Sequence, residues 1–204
     1  MEVYRTCGNR TAPLPKGTRM DPIEQLSHIG PALIGLADRI EPHQLTGATP
    51  CERFTVNDIL DHMITLGGAF SYWFRGEEAL AVTPPSRDGQ VPAAAFRLTL
   101  ENLLDAVRSP GALERTITAP MGTMPGETFA RLVAFDGLVH GWDLATATGQ
   151  AYDVPADVVA AVDEFARAAL SAEMRDGDTF KAETNPSAGA SRLERLVAFS
   201  GRTV

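Results

Sequence analysis

Asp136 and His140 stand four residues apart in a run, Phe129 to Ala147, whose apolar residues recur at helical spacing. At 100° per residue, Phe129, Leu132, Val133, Asp136, His140, Asp143, Leu144 and Ala147 fall on one stripe, the pattern of a helix that faces a core. A buried carboxylate or imidazole is costly unless it is paired or bound to a cation. Two such groups one turn apart on an apolar stripe call for a partner, and one divalent metal satisfies both. Residues four apart on a helix project to the same side, so Asp136 and His140 can reach a single ion. His62 offers a third donor from the inward edge of another helical run, in company with Ile59, Leu66, Ala69 and Trp73. An Asp-x3-His pair alone occurs often by chance, and its weight here comes from the stripe and from His62. Three protein ligands leave positions open for water, substrate or a thiolate, which is the layout of a catalytic metal site and not of a closed structural one. The set His62, Asp136 and His140 fits Zn²⁺, Ni²⁺ and Fe²⁺ alike. Asp143, one turn further on, is placed either to orient a ligand imidazole or to pair with an N–H or Arg elsewhere.

The elements that must position these groups read as helices. Asp21-Pro22 is a capped start with proline where its missing N–H costs nothing. The helix that follows presents Ile23, Leu26, Ile29, Leu33, Leu36, Ala37 and Ile40 inward, with Pro31 expected as a kink or restart and Pro42 as its end. His28, with Glu24 and Gln25, reads as solvent-facing, and His43 reads as a solvent or capping group. Thr55-Val-Asn-Asp58 is a capping box that opens a second helix running to about Arg75, with Cys51 read as a small apolar group beside that cap in preference to a nucleophile or ligand. The breaker Thr83 to Gly89 precedes a third helix from Pro92 to Val107. Arg115 to Gly126, cut up by Pro and Gly, reads as an extended crossover with at most one short strand. The metal-binding helix then ends near Gly149, a fifth is expected over Val154 to Met174, and a short last one over Ser191 to Phe199. Trp142 points away from the Asp136 stripe and reads as packing against the fifth helix.

The chain has 204 residues and a net charge of -8, so it is long enough for one well-packed domain and lacks the clustered Lys and Arg of a nucleic-acid groove or an anionic-membrane surface. No apolar run reaches membrane-spanning length, so no membrane partner is expected, and a cytoplasmic location is. With only Cys7 and Cys51, neither a disulfide framework nor a thiolate-only zinc site is expected. Residues 1–19, rich in Gly, Pro, Thr and Asn and without an apolar signal core, are read as a disordered leader, and 20–204 as a single metal-binding helical domain.

Pro50-Cys51-Glu52 with Thr55-Val-x-Asp58-Ile-Leu-x-His62, and then Phe135-Asp136-x-Leu-Val-His140-Gly-Trp-Asp143-Leu-Ala-x-Ala-Thr-Gly149, resemble the DinB/YfiT-like superfamily. More narrowly they resemble its actinobacterial branch related to mycothiol-dependent maleylpyruvate isomerase, and Arg192-Leu-x-Arg-Leu-Val-Ala-Phe-x-Gly201-Arg202 is similar to the end of many members of that branch. The resemblance implies an all-α fold, a four-helix bundle with a crossover before the metal-binding helix and, here, extra C-terminal helices. It implies a divalent metal, usually zinc or nickel, held by His62, Asp136 and His140. Two departures bear on substrate: the isomerase has Glu at the position of Asp136, and it carries a sizeable C-terminal domain where this chain continues only from Tyr152 to Val204. The function expected is a thiol-dependent isomerase or S-transferase in which the metal activates mycothiol or a similar small thiol toward an electrophile. The alternatives are a metal-binding or stress-response bundle without turnover, and a metal-dependent hydrolase, for which no general base is evident. Dimerisation is expected only on the general ground that bundles with excess apolar surface pair.

Overall fold

In the computed structural model, described here over residues 20–78, 90–120, 122–170, 175 and 181–204, the chain is helical apart from one short hairpin. The helices are α1 (Pro22–Ala37), α2 (Val56–Arg75), α3 (Ala93–Val107), α4 (Gly126–Thr148), α5 (Ala156–Ala169) and α6 (Arg192–Phe199), with strands β1 (Thr116–Ala119) and β2 (Gly122–Pro125) between α3 and α4. The expected leader over 1–19 lies outside the described residues, as do 171–174, but the fifth helix, expected over Val154 to Met174, spans only Ala156–Ala169, because Leu170 turns to an extended conformation.

Local chemistry sets the boundaries. Asp21 accepts from the N–H of Ile23 at 2.7 Å and Pro22 takes the first helical position. Pro31 does not restart α1, which runs through it to Ala37; the ring sits on the exposed side, where water can replace the hydrogen bond it removes. Thr55 and Asp58 form a reciprocal capping box at the head of α2, and Gly76, at φ 76°, supplies the left-handed residue that ends it. Arg115 to Gly126 forms two strands and not one: β1 and β2 pair antiparallel from Thr116↔Pro125 to Ala119↔Gly122. Pro120 lies at the turn and Pro125 at the strand's end, so neither interrupts the ladder.

α1, α2, α3 and α4 form the bundle, with α1 packed on α3 and α4, and α2 on α3 and α4. α5 and α6 pack on a further side of α4, which makes that helix central. Its buried residues therefore go almost all the way round, from Phe129 and Ala130 through Phe135, Leu138 and Val139 to Leu144 and Ala145, where the sequence suggested a single inward stripe. Gln25 is likewise not on a solvated face. It is fully buried, and its Nε2 donates to the carbonyl of Met20 at 3.2 Å, which also accepts from Arg131. No helix among the described residues is long and apolar enough to cross a membrane.

Candidate metal centre

His62 lies two turns into α2, and Asp136 and His140 occupy consecutive turns of α4. The helix crossing brings the three together. Asp136 Oδ1 is 3.6 Å from His140 Nε2 and 3.9 Å from His62 Nε2, the two imidazole centroids are 5.0 Å apart, and one donor atom from each residue falls within 4.8 Å of the others. Nitrogen and oxygen ligands of a tetrahedral zinc stand about 3.3 Å apart when each bond is 2.0–2.1 Å, so the two distances from Asp136 to the imidazoles exceed that spacing by only a few tenths of an ångström. His62 Nε2 is buried and has no hydrogen-bond partner. A buried ring nitrogen without a partner costs free energy, and a metal aligned with the Asp136 carboxylate would remove that cost.

His140 is the best-held of the three. Its Nδ1 is 3.0 Å from Asp143 Oδ2, inside the protein. Donation from Nδ1–H leaves the Nε2 lone pair facing Asp136 and His62, the tautomer a ligand needs. Both roles open to Asp143 are filled together, because its fully buried carboxylate also accepts from Arg202 at 3.0 Å and 3.4 Å. Arg202 comes from the chain's last four residues, and its own N–H bonds to the carbonyl of Val197 while its carbonyl accepts from the Thr184 hydroxyl. Sequence reasoning marked Arg202 only as part of a terminal motif; no spacing rule could link it to a helix 59 positions away.

Cys51 also arrives at the centre. Its sulfur forms a second cluster with His140 and Asp143, within the same 4.8 Å limit. The loop that carries it is closed by the Ala48↔Thr55 bridge and by the buried Thr49 hydroxyl, which donates to the carbonyl of Phe54 at 2.7 Å and lies 3.1 Å from that of Cys51. Phe54 from this loop lies across the site, its ring 5.3 Å from His62 and 6.1 Å from His140. His28 is exposed, and His43 is exposed and pairs with Glu41, so neither joins the centre. Trp142 is partly buried against the core.

The electrostatics favour an ionised carboxylate beside the imidazoles. Burial works against the charge on Asp136, but His140, His62 and Arg202 outweigh it and hold the carboxyl below its ordinary range. Burial pushes the Cys51 thiol up, and Arg202 draws it only part of the way back. An open cleft of about 420 Å³ borders His62, with Arg53, Asp58, Asp61 and Thr65 among its walls.

Residues 26–145 match the family described as the mycothiol maleylpyruvate isomerase N-terminal domain. The chain is 32% identical to an uncharacterized protein found in two strains of Mycobacterium tuberculosis, over 91% of this chain and 100% of that protein. Two crystal structures of the mycothiol-dependent maleylpyruvate isomerase, one of them a histidine-to-alanine mutant, superpose with TM-scores of 0.55 and 0.56 at 16% and 12% identity. The superposed region covers 70% of this chain and 66% of theirs, and at that identity it shows a shared fold.

Proposed function

The chain belongs to the mycothiol maleylpyruvate isomerase N-terminal domain family, and from that premise we propose that it is a divalent-metal-binding, thiol-dependent isomerase or S-transferase whose ion is held by His62, Asp136 and His140. The observation that carries the reading is the buried, partnerless Nε2 of His62, aimed with His140 Nε2 at one carboxylate oxygen. A metal bound there would lower the pKa of a coordinated thiol and keep it as thiolate. Zinc and nickel both suit two imidazoles and a carboxylate.

The chain's own residues supply the rest. Asp143 takes the Nδ1 proton of His140 as a hydrogen bond and so turns its other nitrogen outward. Arg202 balances the Asp143 charge, which in a dry interior would otherwise be costly. The Phe54 ring packs at a tilt against both imidazoles and gives that side of the site an apolar wall. The polar cleft beside His62 is the approach for a hydrophilic thiol such as mycothiol. An isomerase returns that thiol unchanged and a transferase leaves it in the product, so product analysis separates the two. A cytoplasmic location suits a reaction that needs a reduced thiol.

The test is elemental analysis of purified wild type, His62→Ala and His140→Ala, stripped and reloaded with zinc or nickel in parallel. Wild type is expected to hold about one ion per chain and each variant to lose it. Retention of the ion by both variants, or none in wild type, sinks the proposal. An ion without turnover of any electrophile in the presence of thiol favours the binding-protein reading, and turnover without thiol favours a hydrolase.

A further inference from the structure

The bundle interior holds a cavity of about 40 Å³ next to the proposed metal ligands. All four bundle helices line it, through Leu33 of α1, Met63 and Leu66 of α2, Leu103 of α3 and Val133 of α4. Its lining contains one charged group, Asp136, and no Lys, Arg or His. Asp136 keeps 39% of its side chain accessible although it belongs to the most enclosed helix, and it borders this cavity. Leu66 belongs both to the cavity wall and to the wall of the open cleft beside His62. The centre therefore lies between two compartments of opposite character, a polar cleft on the His62 side and an apolar chamber on the Asp136 side.

We propose, building on the metal-thiol reading, that the apolar chamber seats a short unbranched aliphatic arm of the electrophilic substrate, while the hydrophilic thiol approaches through the cleft. Size sets the arm. A water needs about 10–15 Å³ of such space, so the chamber takes about three water-sized groups, a chain of about three or four carbons. Charge sets its character. A carboxylate at the far end of the arm, away from the proposed ion, would lose its water among leucines and methionine, with no Lys, Arg or His in the lining to replace it. The arm is thus expected to be neutral and apolar, which distinguishes this chain's preferred electrophile from a polycarboxylate.

The test uses unreactive primary amides, from acetamide through butyramide and pentanamide to hexanamide, with succinamate as the carboxylated counterpart of butyramide. Binding is followed by methyl NMR of Met63 and Leu103 on zinc-reloaded and on metal-stripped protein. Affinity is expected to rise about fourfold per methylene up to pentanamide and to level off at hexanamide, with shifts at both methyl sites. Succinamate is expected to bind at least tenfold more weakly than butyramide. Leu103→Phe, which fills the chamber, is expected to abolish the dependence on length, and Val133→Ala, which enlarges it, to extend the rise by about one methylene. Folding of both variants is checked by their unfolding midpoints. An affinity series flat with length in wild type, Met63 and Leu103 methyls that do not move, or succinamate binding as well as butyramide overturns the assignment. Zinc content is measured on the same samples, so a failure of the metal reading appears in that assay and a failure of the chamber appears in the methyl shifts.

Discussion

Asp143 carries two obligations, a buried hydrogen bond from His140 and a buried ion pair with Arg202. Replacing it with Asn keeps the shape and removes the charge. On the proposed metal centre, Asp143→Asn is expected to weaken zinc binding by about 10–100-fold, the usual effect of losing the carboxylate behind a ligand histidine, as read by competition with a chromophoric chelator. Arg202, only 10% exposed, would then lack its counter-charge, which costs about 3–5 kcal/mol when one partner of a buried pair is removed. Cys51 shows the limit of reading single residues. In sequence it is a small apolar group next to a cap, and in the fold that same cap delivers its sulfur to His140 and Asp143. Nothing in the residues around Cys51 distinguishes these two environments.

At the scale of elements, α2 positions His62 and is itself held by its start. Thr55 Oγ1 accepts from the Asp58 N–H at 3.2 Å, while the Asp58 carboxylate accepts from the Thr55 N–H at 2.9 Å and from its hydroxyl at 2.6 Å. Those bonds, hydroxyl first, hold the Asp58 carboxyl below its ordinary value of 3.8. A carboxyl with a depressed folded pKa contributes stability that is complete above the ordinary value and is lost as pH falls through the lower one. The difference in unfolding midpoint between wild type and Asp58→Asn is therefore expected to be constant well above the ordinary carboxyl value of 3.8 and to shrink as pH falls below it. A difference that persists unchanged into acid would show that the box adds nothing through the carboxylate's charge. α4 differs from α2 in what holds it. Its N-terminus has no side-chain cap, and it is fixed by burial on nearly all sides and by β2, which leads directly into it.

For the whole molecule, the proposed ion is a cross-link between α2 and α4, two elements separated by α3 and the hairpin. Ligands that bind only the folded state stabilise it by mass action, about 2.7 kcal/mol at one hundred times the dissociation constant. For a domain of this length that corresponds to a rise of roughly 5–10 °C in the unfolding midpoint. Zinc reloading of stripped protein is expected to produce that rise in a thermal scan, and His62→Ala is expected to abolish it. Equal midpoints for stripped and reloaded wild type would remove the cross-link from the proposal. Arg202 adds a second long-range tie, because the C-terminal residues return to the C-terminal half of α4.

The sequence by itself determined the helical class, most helix starts, and His62, Asp136 and His140 as candidate ligands, because caps, glycine terminators and the spacing of apolar residues act over a few positions; the stops of α1 and α5 fell short of those it suggested. The resemblance to a known family rested on the same short motifs. Only the tertiary structure decided that Asp136 borders an apolar chamber, that Cys51 and Phe54 reach the imidazoles, that Gln25 is buried, and that Arg202 closes on Asp143. Each of these depends on which helices become neighbours and at what crossing. A helix enclosed on every side has no periodic signal to say which residue meets which partner, so that information exists only once the bundle is assembled.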